Sequence, residues 1–238
     1  MYLSRAKLTT LLLAALIFWT HPLLAHKEDY LDETLVYVTL GAHEFEPEYW
    51  IDYGYGPLGR HFLRHHLAVE YGLRDRWMVE ARATEQKIFG GGSSFDSARV
   101  ETRYRFGAEG SRAVDIAVSA ELNSMTTEQG AHRVNIEPRL ILSKDFREKL
   151  NVTLNLAEEL AVNAREAGFA PAAGIRYNAS RSVSVGSEFR YEQEERRGSI
   201  IPQIWFRLPK ETTIKAGFSA GLGHDRRNFG RVAVEFEF

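Results

Sequence analysis

Hydrophobic and polar residues alternate with a period of two along most of the chain. In the segment 66–73 the apolar residues Leu67, Val69 and Tyr71 take every second position, with charged or small residues between them. The last residues, 231–238, repeat this arrangement. Because successive side chains of a β-strand point to opposite faces, a period of two indicates strands whose two faces meet different surroundings. The pattern therefore predicts an all-β fold.

Twelve segments carry this alternation, and they are separated in turn by short turns and by longer polar or glycine-rich loops. The predicted strands are 49–55, 63–73, 77–88, 97–107, 113–124, 132–144, 149–160, 171–179, 182–192, 199–208, 212–222 and 229–238. An up-and-down antiparallel barrel with one turn end and one loop end requires such an alternation of connections. An even strand number also brings both ends of the barrel chain to the same side.

The apolar face of these strands can point into a soluble core or out into lipid. A soluble barrel turns its apolar face inward, whereas a membrane barrel turns it towards the bilayer and keeps polar residues around the lumen. Here the polar face is densely ionic, and aromatic residues gather at strand ends, as at Tyr71, Trp77 and Phe106 on one side and Tyr55 and Phe89 on the other. Both features favour a transmembrane β-barrel of about 12 strands.

The final strand carries a family resemblance. Val232, Val234 and Phe236 alternate with polar or small residues, and the chain ends on Phe238. This strand resembles the closing strand of Gram-negative outer-membrane β-barrel proteins. The resemblance implies a location in the bacterial outer membrane, contact with outer-membrane lipid, and recognition of Phe236 and Phe238 by the barrel assembly machinery. It does not indicate a subfamily.

The first 25 residues have the three parts of a secretory signal. Arg5 and Lys7 precede the apolar run 8–19, and Ala25 offers a small residue for cleavage. The run has about 12 residues, fewer than the roughly 20 that a retained membrane helix needs, so a cleaved signal peptide is favoured. The predicted domains are a signal peptide (1–25), a periplasmic N-terminal lead-in (26–48) and the outer-membrane barrel (49–238).

The predicted lead-in is acidic and contains one apolar stretch, residues 34–40. One interpretation is a disordered segment that anchors against the barrel mouth. The other is a plug inserted into the barrel, or a docking strand for a periplasmic partner.

The amino-acid composition limits the chemical functions that the protein can have. The 238 residues include no cysteine, which excludes disulfides and thiolate metal sites, and the 30 Lys and Arg nearly balance the 32 Asp and Glu, which argues against nucleic-acid binding. His61 and His65 would stand about 13 Å apart on a strand, too far to share a metal ion. The His224-Asp225 pair is interpreted as part of a solvated turn in a loop and not as a catalytic pair. We therefore predict no cofactor, no metal site, no catalytic residue and no enzymatic activity.

The polar face predicts a lumen lined by acids and arginines. Its members are Glu70, Glu80, Arg82, Arg99, Glu101, Arg103, Arg105, Asp115, Glu121, Arg133, Glu137, Arg139, Arg176, Glu188, Arg190, Arg207, Lys215, Arg231 and Glu235. Twelve strands enclose a lumen between those of filled eight-stranded barrels and open porins. This pattern favours a narrow channel for passive or selective passage of small polar or charged solutes. Two alternatives remain: a closed structural or partner-binding barrel, and, with less support, a hydrolase at the outer rim.

Overall fold

The computed structural model describes residues 29–32, 34–55, 60–126, 132–147, 149–162, 166–193, 196–222 and 228–238. The predicted signal peptide and the His224-Asp225 pair lie outside these residues. The strands are β1 (Phe45–Tyr55), β2 (His61–Arg74), β3 (Trp77–Ile88), β4 (Ser93–Arg105), β5 (Asp115–Thr126), β6 (His132–Phe146), β7 (Leu150–Ala161), β8 (Glu166–Phe169), β9 (Ala172–Asn178), β10 (Val183–Glu192), β11 (Arg197–Leu208), β12 (Thr212–Leu222) and β13 (Asn228–Phe236).

These strands form one closed antiparallel barrel with twelve positions in its wall. Apart from β8 and β9, which both pair with β7, each strand pairs with its chain neighbours, and β1 pairs with β13 to close the sheet. β8 and β9 share one wall position, because the pairing register Glu158↔Phe169 continues without a shift as Asn155↔Ala172. Pro171, which has no backbone N–H to donate, lies in the break between them. The predicted twelve-stranded all-β barrel is confirmed.

Two ends of the barrel can be distinguished. The turn end holds the short connections, such as residues 75–76 and 209–211, and also the first and last residues of the barrel chain. There the Phe45 N–H donates to the Phe238 carbonyl over 3.1 Å, and the Phe238 N–H donates back over 3.0 Å. The opposite, loop end holds the connections that begin after Tyr55 and Ile88.

The two faces of the wall differ as the alternation predicts. Val232 is 54% exposed on the outside, whereas its neighbour Ala233 is 3% exposed on the inside. Leu67, Val100 and Ile175 are likewise exposed on the outside. In a single-layered barrel the buried positions can only be those that face the interior. The apolar side chains therefore point outward and the polar ones inward.

The start of the barrel differs from the sequence prediction. β1 begins at Phe45, so the predicted boundary at residue 48 lies within this strand. Glu46 and Glu48 are buried, whereas Tyr49 is exposed. The acidic character that suggests a lead-in is thus the inward face of the first strand. The residues before β1 do not extend away from the barrel, because residues 34–40 are all buried.

Candidate functional site: the lumen and its N-terminal plug

The structure brings the predicted polar face together around the interior. Six of its members are half-buried: Arg82, Arg99, Arg105, Arg133, Arg190 and Arg207. The others are buried: Glu70, Glu80, Glu101, Arg103, Asp115, Glu121, Glu137, Arg139, Arg176, Glu188, Lys215, Arg231 and Glu235. Their burial and their alternation with exposed apolar residues place them on the inner side of the wall.

A row of glutamates crosses this inner wall. Glu70 lies directly opposite Glu46 on one side and Glu80 on the other. The row continues through Glu101, Glu121 and Glu137, each opposite the preceding one. Like charges at directly opposed positions destabilise a sheet unless cations compensate them.

Arginines on the same strands supply this compensation. Arg82 Nη2 lies 2.6 Å from Glu80 Oε1, and Arg103 Nη2 lies 3.2 Å from Glu101 Oε1. Arg139 likewise forms an ion pair with Glu137. Each arginine follows its glutamate by two residues, so that both side chains reach the same face of the strand. The inner wall is therefore braced by its own ion pairs.

The N-terminal segment, residues 29–32 and 34–41, lies inside the barrel, and we call it the plug. Its polar contacts reach strands from most of the circumference: Arg103 on β4, Asn155 on β7, Glu188 on β10, Gln203 on β11, Lys215 on β12 and Arg231 on β13. Only a segment within the lumen can contact all these strands at once. The plug occupies the turn-end half, since Arg103 and Asn151 stand close to the turn end of their strands.

Arg103 holds the centre of the plug. Its guanidinium donates to both carboxylate oxygens of Asp29, over 3.1 and 2.7 Å, and to the carbonyls of Val36 and Val38. Burial by itself raises the pKa of the Asp29 carboxyl, but the paired Arg103 and the Val36 amide hold that pKa below its ordinary value. Asp29 is therefore a charged anchor at neutral pH.

A second anchor joins the tip of the plug to the wall. Arg231 is paired with Asp52 through two bonds of 2.5 and 2.7 Å, and its Nη1 donates to the Leu31 carbonyl over 2.7 Å. The same Nη1 lies 3.3 Å from Asp32 Oδ1. On the other side of Asp52, His66 Nε2 lies 3.0 Å from the carboxylate. A continuous polar chain thus runs from β2 through β1 and β13 to the plug.

Amide and carboxylate side chains of the wall form hydrogen bonds with the backbone N–H and carbonyl groups of the plug. Asn155 accepts from the Leu35 N–H over 2.8 Å and donates to the Leu35 carbonyl over 2.9 Å. Glu188 accepts from the Thr34 N–H, and Gln203 accepts from the Leu31 N–H. Buried backbone groups need such partners, and an extended segment inside a barrel has no neighbouring strand to supply them.

Glycines in the wall make room for the plug. A Cβ atom at Gly174 would lie 2.4 Å from Tyr30 Cζ, and one at Gly217 would lie 2.6 Å from Leu31 Cδ2. At Gly72 a Cβ atom would lie 1.7 Å from the Gly41 carbonyl oxygen. Real Cβ atoms do not approach other atoms so closely. The wall is therefore shaped to the plug at three points.

This fit predicts that Gly174→Leu displaces the plug. The new side chain would occupy the space of the Tyr30 ring, which otherwise packs edge-on against Trp205. Chymotrypsin is then expected to cleave the folded variant after Tyr30 or Tyr37, both of which are buried in the parent protein. Gly92→Leu is the control, because nothing lies within 4 Å of a Cβ atom there. Resistance of Gly174→Leu equal to that of the control would contradict the role of this glycine.

Above the plug lies an outer cavity of about 240 Å³ near the loop end. Its walls are polar and include Arg64, His66, Glu121 and Glu159, while Asp32 of the plug lies at its floor. Beyond Asp32, the gap between the plug and the strands that carry Glu48, Glu70 and Glu121 is about 20 Å³. A gap of that volume holds about one water molecule.

The histidines considered as metal ligands are separated by the fold. His61 and His65 are on the outer side of β2, where they stack on Tyr53 and Tyr49. A different group, Glu46, Glu48 and Glu235, brings carboxylate oxygens within 4.8 Å of one another inside the barrel. Lys215 already forms an ion pair with Glu235 and supplies a cation there.

Four acids that the sequence prediction assigns to the lead-in contribute to the interior. Asp29 and Asp32 are in the plug, and Glu46 and Glu48 are on β1 before its predicted start. The latter two could have been found from the sequence, since they alternate with Phe45, Pro47 and Tyr49. The positions of Asp29 and Asp32 leave no comparable periodic signal.

Comparison with proteins of known structure identifies chains with a similar fold. No family model and no curated protein matches the chain. Solved structures do match. The KdgM porin has a TM-score of 0.63 at 13% identity, over 81% of this chain and 99% of its own. The chain therefore shares the closed antiparallel β-barrel fold of this porin.

Two further structures support the same fold. The COG4313 outer membrane channel from Pseudomonas putida F1 matches with a TM-score of 0.63 at 10% identity, over 89% of this chain and 100% of its own. The NanC porin matches with a TM-score of 0.62 at 13% identity, over 81% of this chain and 100% of its own. At these identities the comparisons establish the architecture and not the solute.

Proposed function

We propose that this protein is an outer-membrane channel for small polar or charged solutes, and that the plug closes the turn-end half of its lumen in the conformation described. The observation that carries the proposal is the inner wall. Its ionic side chains surround a polar cavity, while the outer face is apolar. The predicted lumen residues would then form the wall of the solute path, and no chemical reaction is required of them.

The apolar outer face supports a location in the bacterial outer membrane. The predicted signal peptide would direct the export that this location requires. Exposed Leu67, Val100, Ile175 and Val232 would contact lipid. Exposed aromatic residues at the turn end, such as Trp77, would lie at the interface, where aromatic rings are enriched in membrane barrels. The turn end would face the periplasm.

A specific observation favours a second candidate, a closed barrel that braces the membrane or binds a partner. The plug is held by two arginine anchors and fits three wall glycines, so that it is an integral part of the interior. A barrel in which this segment never moves would conduct nothing. The two candidates therefore differ in whether any solute passes.

Planar bilayer recording separates these candidates. Purified protein is expected to give discrete, low conductance steps in KCl, since twelve strands enclose a narrow lumen. The control is the same preparation after heat denaturation. If neither the full chain nor a variant lacking residues 29–40 conducts, while both retain the heat-modifiable electrophoretic mobility of a folded barrel, the channel proposal is wrong and the closed barrel stands.

We propose further that the barrel assembly machinery recognises the terminal strand through Phe236 and Phe238. Removal of Phe238 is expected to lower the fraction of assembled barrel, because it removes both the terminal aromatic ring and the reciprocal backbone bonds with Phe45. Heat-modifiable mobility of the protein in isolated outer membranes measures this fraction. The matched control is Phe146→Ala, which removes an exposed aromatic ring elsewhere. Equal assembly of both variants would contradict the proposal.

A further inference from the structure

We propose that Arg190 and Arg231, at the floor of the outer cavity, form a binding site for the carboxylate of a small anionic solute, and that Asp32 of the plug occupies this site as an internal ligand. A solute carboxylate that replaced Asp32 would release the tip of the plug. The inference rests on the proposed channel function and adds to it the class of solute and the means of opening.

Arg231 is a preorganised half of this site. It is 7% exposed, and two of its nitrogens, Nε and Nη2, are bound to Asp52. Its guanidinium also lies over the Phe229 ring at 5.2 Å from the centroid. With two nitrogens held by Asp52, Nη1 is directed at the plug, where it contacts the Leu31 carbonyl and Asp32. An arginine that is already oriented loses little conformational freedom when it binds a carboxylate.

Arg190 is the second half, on β10. Its Nη1 lies 3.9 Å from Asp32 Oδ2, so the two arginines approach the same carboxylate through different oxygens. Arg190 Nη2 also lies 3.5 Å from Glu192. Both arginines and Asp32 line the outer cavity, so that a solute in this cavity can reach the site.

The contacts of Asp32 with the two arginines are long. Its ion-pair distances of 3.3 and 3.9 Å exceed the 2.7–2.9 Å that is typical of charge-assisted hydrogen bonds from arginine. Glu188 is also close, since it accepts the Asp32 N–H over 2.8 Å, and its like charge opposes the Asp32 carboxylate. A solute carboxylate free to adopt short, two-point geometry with these arginines would compete well with a carboxylate constrained by the plug backbone.

The other charges of the cavity point to the same class of ligand. Arg64 lies 3.8 Å from Asp96, Arg99 lies 3.5 Å from Glu121, and Arg133 lies 3.7 Å from Glu159. The wall acids thus have arginine neighbours on the wall itself, whereas the acid at the floor belongs to the plug. Loss of Asp32 from the floor would remove the carboxylate that Arg190 and Arg231 share. The carboxylate of a small anion can take its place.

Single-channel recording with succinate on the loop-end side tests the proposal. Succinate is expected to raise the open probability of the full chain by about fivefold or more, the usual scale of ligand coupling. Succinamide, which is neutral, and 1,4-diaminobutane, which is cationic, are expected to have no such effect. A rise with the diamine and none with succinate would overturn the proposal, because it would indicate a site for cations.

Point variants test whether the effect of succinate arises at the site formed by Arg190 and Arg231. Asp32→Asn should open without succinate and lose the response, and Arg190→Gln should lose the response. Lys87→Gln, which removes an exposed cation on the outer face near the loop end, should respond as the parent does. Calorimetric titration adds a readout independent of current: a variant lacking residues 29–40 should bind succinate more tightly than the full chain, because it lacks the internal competitor.

The outcomes separate this inference from the channel proposal. If no form of the protein conducts, the channel proposal fails. If the protein conducts, but succinate neither changes the open probability nor binds more tightly to the shortened chain, the channel proposal stands and the carboxylate site is wrong. A closed Asp32→Asn variant in a chain that conducts after deletion of the plug would also overturn the assignment of Asp32 as the internal ligand.

Discussion

Deletion of residues 29–40 is expected to raise the single-channel conductance by at least about tenfold, because it empties the turn-end half of a twelve-stranded lumen. In the intact protein the gap between the plug and the strands that carry Glu48, Glu70 and Glu121 holds about one water molecule, so a hydrated ion does not fit in that gap. After the deletion, Arg103 and Arg231 would face water and their ion pairs with Glu101 and Asp52 would remain. The barrel itself should therefore stay folded.

The control for this deletion is removal of residues 26–28 alone, which shortens the N-terminus and leaves the plug intact. Conductance in bilayers and folded mobility in electrophoresis would be measured on both. A deletion variant that is folded yet conducts no better than this control would show that the plug is not what limits the current.

Arg103→Met is expected to lower the free energy of unfolding by about 3–5 kcal/mol, the usual cost of leaving a buried charge without its partner. Arg103 is 2% exposed and pairs with Asp29 and Glu101, so its loss leaves two carboxylates without their nearest cation. The same change removes the donor for the Val36 and Val38 carbonyls, which should loosen the plug and raise conductance as well.

Guanidinium unfolding in detergent, followed by tryptophan fluorescence, measures the change in stability. Trp205 packs against Tyr30 of the plug and reports on its loss. Arg112→Met, at an exposed turn position, is the matched control. The double variant Arg103→Met with Asp29→Asn should regain part of the stability, since one stranded charge is gone. Additive losses in this double-mutant cycle would mean that Asp29 and Arg103 do not stabilise each other.

The strands and the direction of their faces could be predicted closely from the sequence. Predicted segments such as 77–88 and 212–222 coincide with β3 and β12. The outward position of Val232 and the inward position of Ala233 follow from alternation alone. Each side chain of the wall faces either the apolar outside or the polar interior. The residue type at each position therefore matches its face, and this produces the period of two in the sequence.

Prediction was less accurate where two local signals conflicted. The acids Glu46 and Glu48 suggest a segment outside the membrane, and this outweighed their alternation with Phe45 and Tyr49. In the barrel, a charged residue at every second position is what the inner face requires. The proline at position 171 is a similar case: the predicted strand begins there, whereas β8 (Glu166–Phe169) carries the same wall position before the proline, whose missing N–H interrupts the strand.

The amino-acid sequence by itself determined an all-β chain, twelve wall positions, and an apolar outside around an ionic inside, because these properties depend on the alternation of neighbouring residues. Only the tertiary structure decided that residues 29–32 and 34–41 enter the lumen and that Asp29 and Asp32 meet Arg103 and Arg231. The contact between Arg103 and Asp29 joins residues that are 74 positions apart in the sequence, and the contact between Arg231 and Leu31 joins residues that are 200 positions apart. They also depend on space left by Gly72, Gly174 and Gly217, three strands apart or more around the closed wall. No periodic pattern records a fit of that kind, since it arises only when the barrel closes.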